Sequence, residues 1–381
     1  MTTSLRPRGW SPLTARPLHV PEAAALGWDI PVGYAADPPE LTGRAALAAR
    51  YFAAELAAGG TAGWMRRHVL REQESRFSFW APGASAAALE RAVGEIDPRP
   101  PADRLRELAG VQVHQARSQQ ASPHAVMFRA IEEAAWGRTG NSAGGDEQTL
   151  AAVLASDLPG YLERCRSAAR ILDPAEPDRP VREAAPPPAW RGELVSVHRP
   201  GLQCRVAVQY VLGPQLSDPA SLAVLTQYLD GPDGLVQRRL RAETGLVYGG
   251  VALPRTDGGT YSLVLAVSML VDRLAPALAQ LRELVDEIDA HPLADAAVEE
   301  AALRARHAML GEVDGPYGSL EDHRRVLAGQ APLREVAGDL PAAARRLRHG
   351  PRFAADVRPA VCFVGVLDED TRTRLEAALW G

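Results

Sequence analysis

The sequence predicts an α+β protein in which each of two halves packs helices on a mainly antiparallel sheet. Three observations point there. Residues 173–193 (DPAEPDRPVREAAPPPAWRGE) hold six prolines among charged residues with no apolar period, the composition of a semi-extended linker. Strand-like and helix-like segments recur in similar order on either side of it. Finally, Tyr261, Leu263, Leu265, Val267 and Met269 alternate with Ser262, Val264, Ala266 and Ser268, giving one apolar and one mixed sheet face. The chain therefore divides into residues 1–172, a linker at 173–193, and residues 194–381.

In the first half, an extended piece near 30–32 precedes an alanine-rich helix that starts at Gly43. A strand at 76–80 and a helix at 84–96 follow, then helices around 122–136 and 147–166. The second half opens with a strand at 204–211. The next helix begins at Pro219, with Asp218 as its cap and Leu222, Leu225, Tyr228 and Leu229 as its buried stripe. Leu235, Val236 and Leu240 form an apolar stripe among Arg238, Arg239, Arg241 and Glu243, the pattern of a half-exposed helix. Gly245 supplies the left-handed residue that closes it, and a strand is expected from Leu246 through Tyr248 to Leu253. A turn at 257–259 leads into the strand 260–270. Helices are expected at 272–290 and 295–310, two short proline-started ones at 332–337 and 341–347, and a last strand at 360–366.

Composition narrows the function classes. A formal charge of −5 over 381 residues argues against a nucleic-acid partner, and all 42 basic residues are arginine. No apolar run reaches a membrane span, and the N-terminus lacks the apolar core of a secretory signal, so a cytoplasmic location is expected. No two of the nine histidines are spaced as i, i+3 or i+4. Cys165, Cys204 and Cys362 are scattered, and the latter two sit in apolar runs as buried thiols. Neither a G-x-S-x-G elbow nor a phosphate-binding loop is present.

Two segments carry a resemblance. LVQRRLRAETGLVYGG at 235–250 resembles the "LRE-x-x-GLAY" segment of pitrilysin/insulinase-type zinc metallopeptidases, the family of the mitochondrial processing peptidase and its small bacterial relatives. Upstream, Gly33 to Pro39, Leu41-Thr42-Gly43 and Gly59-Gly60-Thr61 match the frame that surrounds the family's H-x-x-E-H helix. Inside the frame, the first histidine falls on Ala46, the general-base glutamate on Ala49 and the second histidine on Arg50. The third ligand falls near Gln115, or on His114 if the frame slips by one. Positions i, i+3 and i+4 share one helix face, which lets such a motif hold metal and base together. Alanine offers no lone pair, and arginine repels a cation.

The resemblance implies two homologous domains forming one half of a clamshell, degenerate in its metal site. It further implies a non-catalytic subunit of a heterodimeric peptidase, which lends Arg241 and Tyr248 to substrate held by an H-x-x-E-H-bearing paralogue. Zinc belongs to that partner, and the cleaved peptides would include leader peptides. A peptidase-like scaffold, as in the core subunits of a respiratory complex, and a peptide-binding protein using a sheet edge stay open beside it. Because Ala46, Ala49, Arg50 and Gln115 replace metal and base groups, the purified chain is expected to hold no stoichiometric zinc and to cleave nothing alone. Elemental analysis finding about one tightly bound zinc per chain, the load of a family-type site, would overturn this.

Overall fold

A computed structural model describes residues 23–380 apart from 62, 72–73, 138–143, 175–188, 232–233, 258 and 350–351. Most of the proline-rich segment thus lies outside the described residues. The α+β class holds, built on two sheets.

The first sheet comprises β1 (Ala23–Ile30), β2 (Met65–Leu70), β3 (Ser75–Pro82) and β4 (Arg170–Leu172), in the order β2-β3-β1-β4. Every pairing in it is antiparallel. On one face lie α1 (Arg44–Ala58), α2 (Ala86–Gly94), α3 (Ala102–Ala121), α5 (Glu147–Ala155) and α6 (Leu158–Ala168). Leu26, Trp28, Ile30, Phe77 and Phe79 meet Phe52, Leu56, Leu89, Leu105, Val153 and Leu162 there. The helical stretch expected at 147–166 is two helices. Asp157 caps the second by accepting from Gly160 N–H at 3.0 Å, and Pro159 fits its first turn.

The second sheet comprises β5 (Leu194–His198), β6 (Gln203–Val211), β7 (Gly249–Asp257), β8 (Thr260–Leu270) and β9 (Ala360–Gly365), ordered β5-β9-β6-β8-β7. Only β5 and β9 run parallel. One face packs on α7 (Pro219–Asp230), α8 (Leu274–Ala290), α9 (Asp295–Val313) and α11 (Leu333–Leu347). Asp218 caps α7, accepting from Ser221 N–H at 2.9 Å. The chain ends in α12 (Glu369–Trp380).

Two expectations need correction. The helices expected at 332–337 and 341–347 are one helix, α11, with Pro341 inside it. Val336, Ala337, Leu340, Ala343, Ala344 and Leu347 form a continuous buried stripe, and its packing outweighs the hydrogen bond the proline removes. The strand expected from Leu246 starts at Gly249. The N–H groups of Leu246 and Val247 turn back to the carbonyl of Leu240, at 3.1 and 3.2 Å, and complete the helix end instead.

Each sheet is covered on its second face by a helix from the opposite half of the chain. α4 (Pro123–Trp136), which precedes the linker, lays Val126, Met127, Ala130, Ile131 and Ala134 on Ala207, Val264, Ala266, Ala360, Cys362 and Val364 of the second sheet. Conversely α10 (Gly318–Leu327) places Leu320 against Ala25 and Leu172 of the first sheet. The approach is close: a Cβ on Gly27 would lie 3.0 Å from both Arg324 and Leu320. Arg324 is buried and donates to Asp29 Oδ2 at 2.9 Å, Ser78 Oγ at 2.7 Å, the Phe77 carbonyl at 3.0 Å and Glu321 Oε1 at 2.8 Å. Burial works against its charge, but Asp29 and Glu321 more than offset that and keep it protonated.

Replacing Arg324 by Met leaves the largely enclosed Asp29 without its partner, and a loss of about 3 kcal/mol is expected. Chemical denaturation of Arg324→Met beside the double variant Asp29→Leu/Arg324→Met measures it, with the double variant recovering most of the loss.

Candidate functional site

The segment that holds Ala46, Ala49 and Arg50 sits on a well-supported helix, α1. Gly43, at the start of α1, has φ +97°, and a Cβ there would lie 2.7 Å from the Gly144 carbonyl. The carboxylate of Asp37 accepts from the N–H groups of Gly43 and Ala45 at 3.1 and 3.0 Å, taking up two donors of the helix start. Burial holds this carboxyl above its usual range, against the pull of the Ala45 N–H and Arg44. From α3, the buried Gln112 donates to the Gly43 and Gly144 carbonyls at 2.9 and 2.8 Å. The Arg44 guanidinium lies 4.2 Å over the Tyr161 ring.

On this frame Ala49 is buried, while Ala46 and Arg50 are half-buried. Arg50 Nη2 donates to Gln115 Oε1 on α3, so these two positions meet in space. His114, beside Gln115, is exposed. The residues present do not fit a zinc ion: two are methyl groups and a third is a cation bound to a neutral amide. Among the described residues, no three His, Cys, Asp or Glu side chains gather as a metal would require.

A further residue faces this region. His68, on β2, stacks on Phe77 across the strand pair, with centroids 4.5 Å apart. Its edge is exposed, yet the protein packed around the ring, and then the charge of Arg50, push the imidazole down to about 4. Sequence reasoning passed over β2 altogether. MRRHVL has no apolar alternation, because its first four residues are exposed on both faces.

The two sheet edges near the flagged segments differ. At β7 the free edge is closed by side chains. Gln237 Nε2 donates to the Gly250 carbonyl, the Asp230 carboxylate lies close to the Ala252 N–H, and Pro254 has no N–H to offer. At β2, Arg71 N–H donates to Glu74 O beside the hairpin, so by alternation the backbone groups of Arg66, His68 and Leu70 point off the sheet. Among the described residues nothing bonds to them.

Arg241 and Tyr248 belong to the closed edge. Arg241 lies in the last turn of a π-helical segment, Gln237–Glu243, followed by Gly245 at φ +63°. It is exposed and makes no side-chain hydrogen bond or ion pair with the described residues. Tyr248 donates its N–H to Ser268 O at 2.8 Å, which fixes its backbone against β8, while the residue stays 52% exposed. Among the described residues, no hydrogen bond or ion pair joins Arg241 or Tyr248 to Arg50 or Gln115. The cysteines Cys165, Cys204 and Cys362 are buried, and burial raises the thiols to about 11, 11 and 12, which leaves them inert as nucleophiles.

Comparison with solved structures places the fold. A chain of Complex III2 from Candida albicans, with Inz-5 bound, superposes with a TM-score of 0.64 at 12% identity, covering 93% of this chain and 94% of that one. The peptidase M16 inactive domain from Pseudomonas fluorescens gives a TM-score of 0.58 at 14% identity, covering 91% and 93%. A protease from Helicobacter pylori gives 0.62 at 11%, covering 91% and 94%. The fold is thus one shared with an M16 peptidase inactive domain and with a protease. No protein-family model and no curated protein sequence matches the chain. Among the described residues no helix is long and apolar enough to cross a membrane.

His68 provides a pH test. Its folded-state value lies below the unfolded 6.5, so the unfolded chain binds more protons between these values. Its contribution is complete above pH 6.5 and is lost as the pH falls toward about 4. Denaturant midpoints of the wild type are expected to drop over that window more steeply than those of His68→Phe, which keeps the stack on Phe77. Parallel curves would remove His68 from this role.

Proposed function

We propose that this chain is a non-catalytic half of a two-chain peptidase-like assembly. In this reading residues 1–172 and 194–381 are its two homologous domains, and a zinc-bearing paralogue supplies the other half of the clamshell. The observation that carries the proposal is the presentation of Arg241 and Tyr248. Both are exposed, both have a backbone group held by a hydrogen bond, and Arg241 has no side-chain partner among the described residues. A guanidinium fork and a phenol suit peptide carbonyl oxygens. The capped edge of β7 supports the same reading, since the segment offers side chains and withholds its backbone. The replacement of ligand and base positions by Ala46, Ala49 and Arg50, on a helix still anchored by Asp37 and Gln112, supports a role that keeps the shape and leaves the chemistry to the partner.

A second reading rests on the open edge of β2. There the chain itself would take up an extended peptide by strand addition, with or without a catalytic partner.

The test of the first reading is co-expression with H-x-x-E-H-bearing chains of the same genome, followed by turnover of a peptide substrate. Arg241→Ala/Tyr248→Phe is expected to lower turnover by about 10²–10³, the usual cost of losing such donors, while co-purification of the pair is unchanged. Full activity of the double variant would overturn the role of the two residues.

A further inference from the structure

Among the described residues, the open edge of β2 is lined by cations that no carboxylate neutralises. Arg66 and His68 pair across the sheet with Phe79 and Phe77, whose side chains face α1, so these two residues share the α1 face with Arg50. Met65 and Arg67 pair with Trp80 and Ser78, which face α10. No ion pair joins Arg50, Arg66 or Arg67 to a carboxylate among the described residues. Arg50 donates to Gln115, and Arg66 reaches only the Leu56 carbonyl at 3.4 Å. Elsewhere the arginines are commonly paired, as Arg104 is with Glu107, Arg117 with Glu147 and Arg239 with Glu287. Although the chain carries a formal charge of −5, this edge is locally positive. Like charges held together without counter-charge favour an anionic partner, and the effect weakens as salt screens it.

Resting on the strand-addition reading above, we propose that β2 takes up an acidic extended peptide. Its carboxylates would lie on the α1 face, beside Arg50 and Arg66. A strand added to β2 alternates its side chains between the two faces. Every second residue therefore meets the arginine side, where a carboxylate gains a partner that the protein does not supply. The residues between fall beside Met65, which is 50% exposed and offers an apolar contact. His68 is uncharged at neutral pH, its imidazole being held down to about 4, so the positive charge on this face belongs to the two arginines.

The experiment uses the full chain and four labelled ten-residue peptides, read by fluorescence anisotropy. One alternates Glu with Val; the second has Gln for Glu, the third Lys for Glu, and the fourth is the Glu peptide with alternate backbone nitrogens methylated. The Glu peptide is expected to bind at least about ten-fold more tightly than the Gln peptide at low salt, an advantage that shrinks as the Debye length shortens. The methylated peptide, which keeps the charges but loses edge donors, is expected not to bind. Arg66→Glu should reverse the preference toward the Lys peptide, an outcome that a misfolded variant cannot produce. Equal binding of the Glu, Gln and Lys peptides would overturn the charge preference while leaving strand addition standing. Binding by the methylated peptide as tight as by its parent, or no binding by any peptide, would overturn strand addition itself.

Discussion

The guanidinium of Arg324 is the fixed point of this architecture. A charge in the protein interior persists only when its donors are used, and here Asp29, Ser78, Glu321 and the Phe77 carbonyl use them. Three of these partners lie on β1 and β3, so the bonds lock α10 over the outer face of the first sheet. Gly27 lets the helix come close enough for Arg324 to reach. The counterpart contact, α4 over the second sheet, is apolar, apart from rim contacts such as Arg255 with Glu132 at 3.6 Å. One docking is thus specified by polar geometry and the other by packing.

The helix that carries Ala46, Ala49 and Arg50 has supports of its own. The start of α1 is held by Asp37, its neighbour α3 by Gln112, and the cross-link between the two helices by Arg50 and Gln115. None of these bonds requires an ion. The shape of this helix start is therefore set by side-chain and backbone contacts alone.

Much of the fold was legible in the residues. Alternation gave β8 its bounds, Asp218 and Pro219 gave α7 its start, and Gly245 gave the π-helical segment its end. What escaped has physical reasons. β2 is an exposed edge strand without an apolar face, so periodicity had nothing to register. Pro341 looked like a boundary because a proline rule is local, whereas the buried stripe of α11 is settled by α7 and α9. The role of Asp37 lay inside the quoted frame, but a cap reaching Ala45 from eight residues away is a tertiary fact. The meeting of Arg50 and Gln115 lay outside local pattern too, since 65 residues separate them.

The exchanged helices also govern the order in which the chain can be completed as it is made. Asp29 and Arg324 are 295 residues apart, so the first sheet leaves the ribosome with one face uncovered until α10 follows much later in synthesis. α4, meanwhile, emerges carrying Ile131 and Ala134 for a sheet that does not yet exist. Each half waits on the other with apolar surface exposed, and the closing step joins residues most distant in the chain. A nascent chain of this kind depends on protection during its long middle stretch, and premature termination anywhere before residue 324 leaves a product whose first sheet stays half-bare.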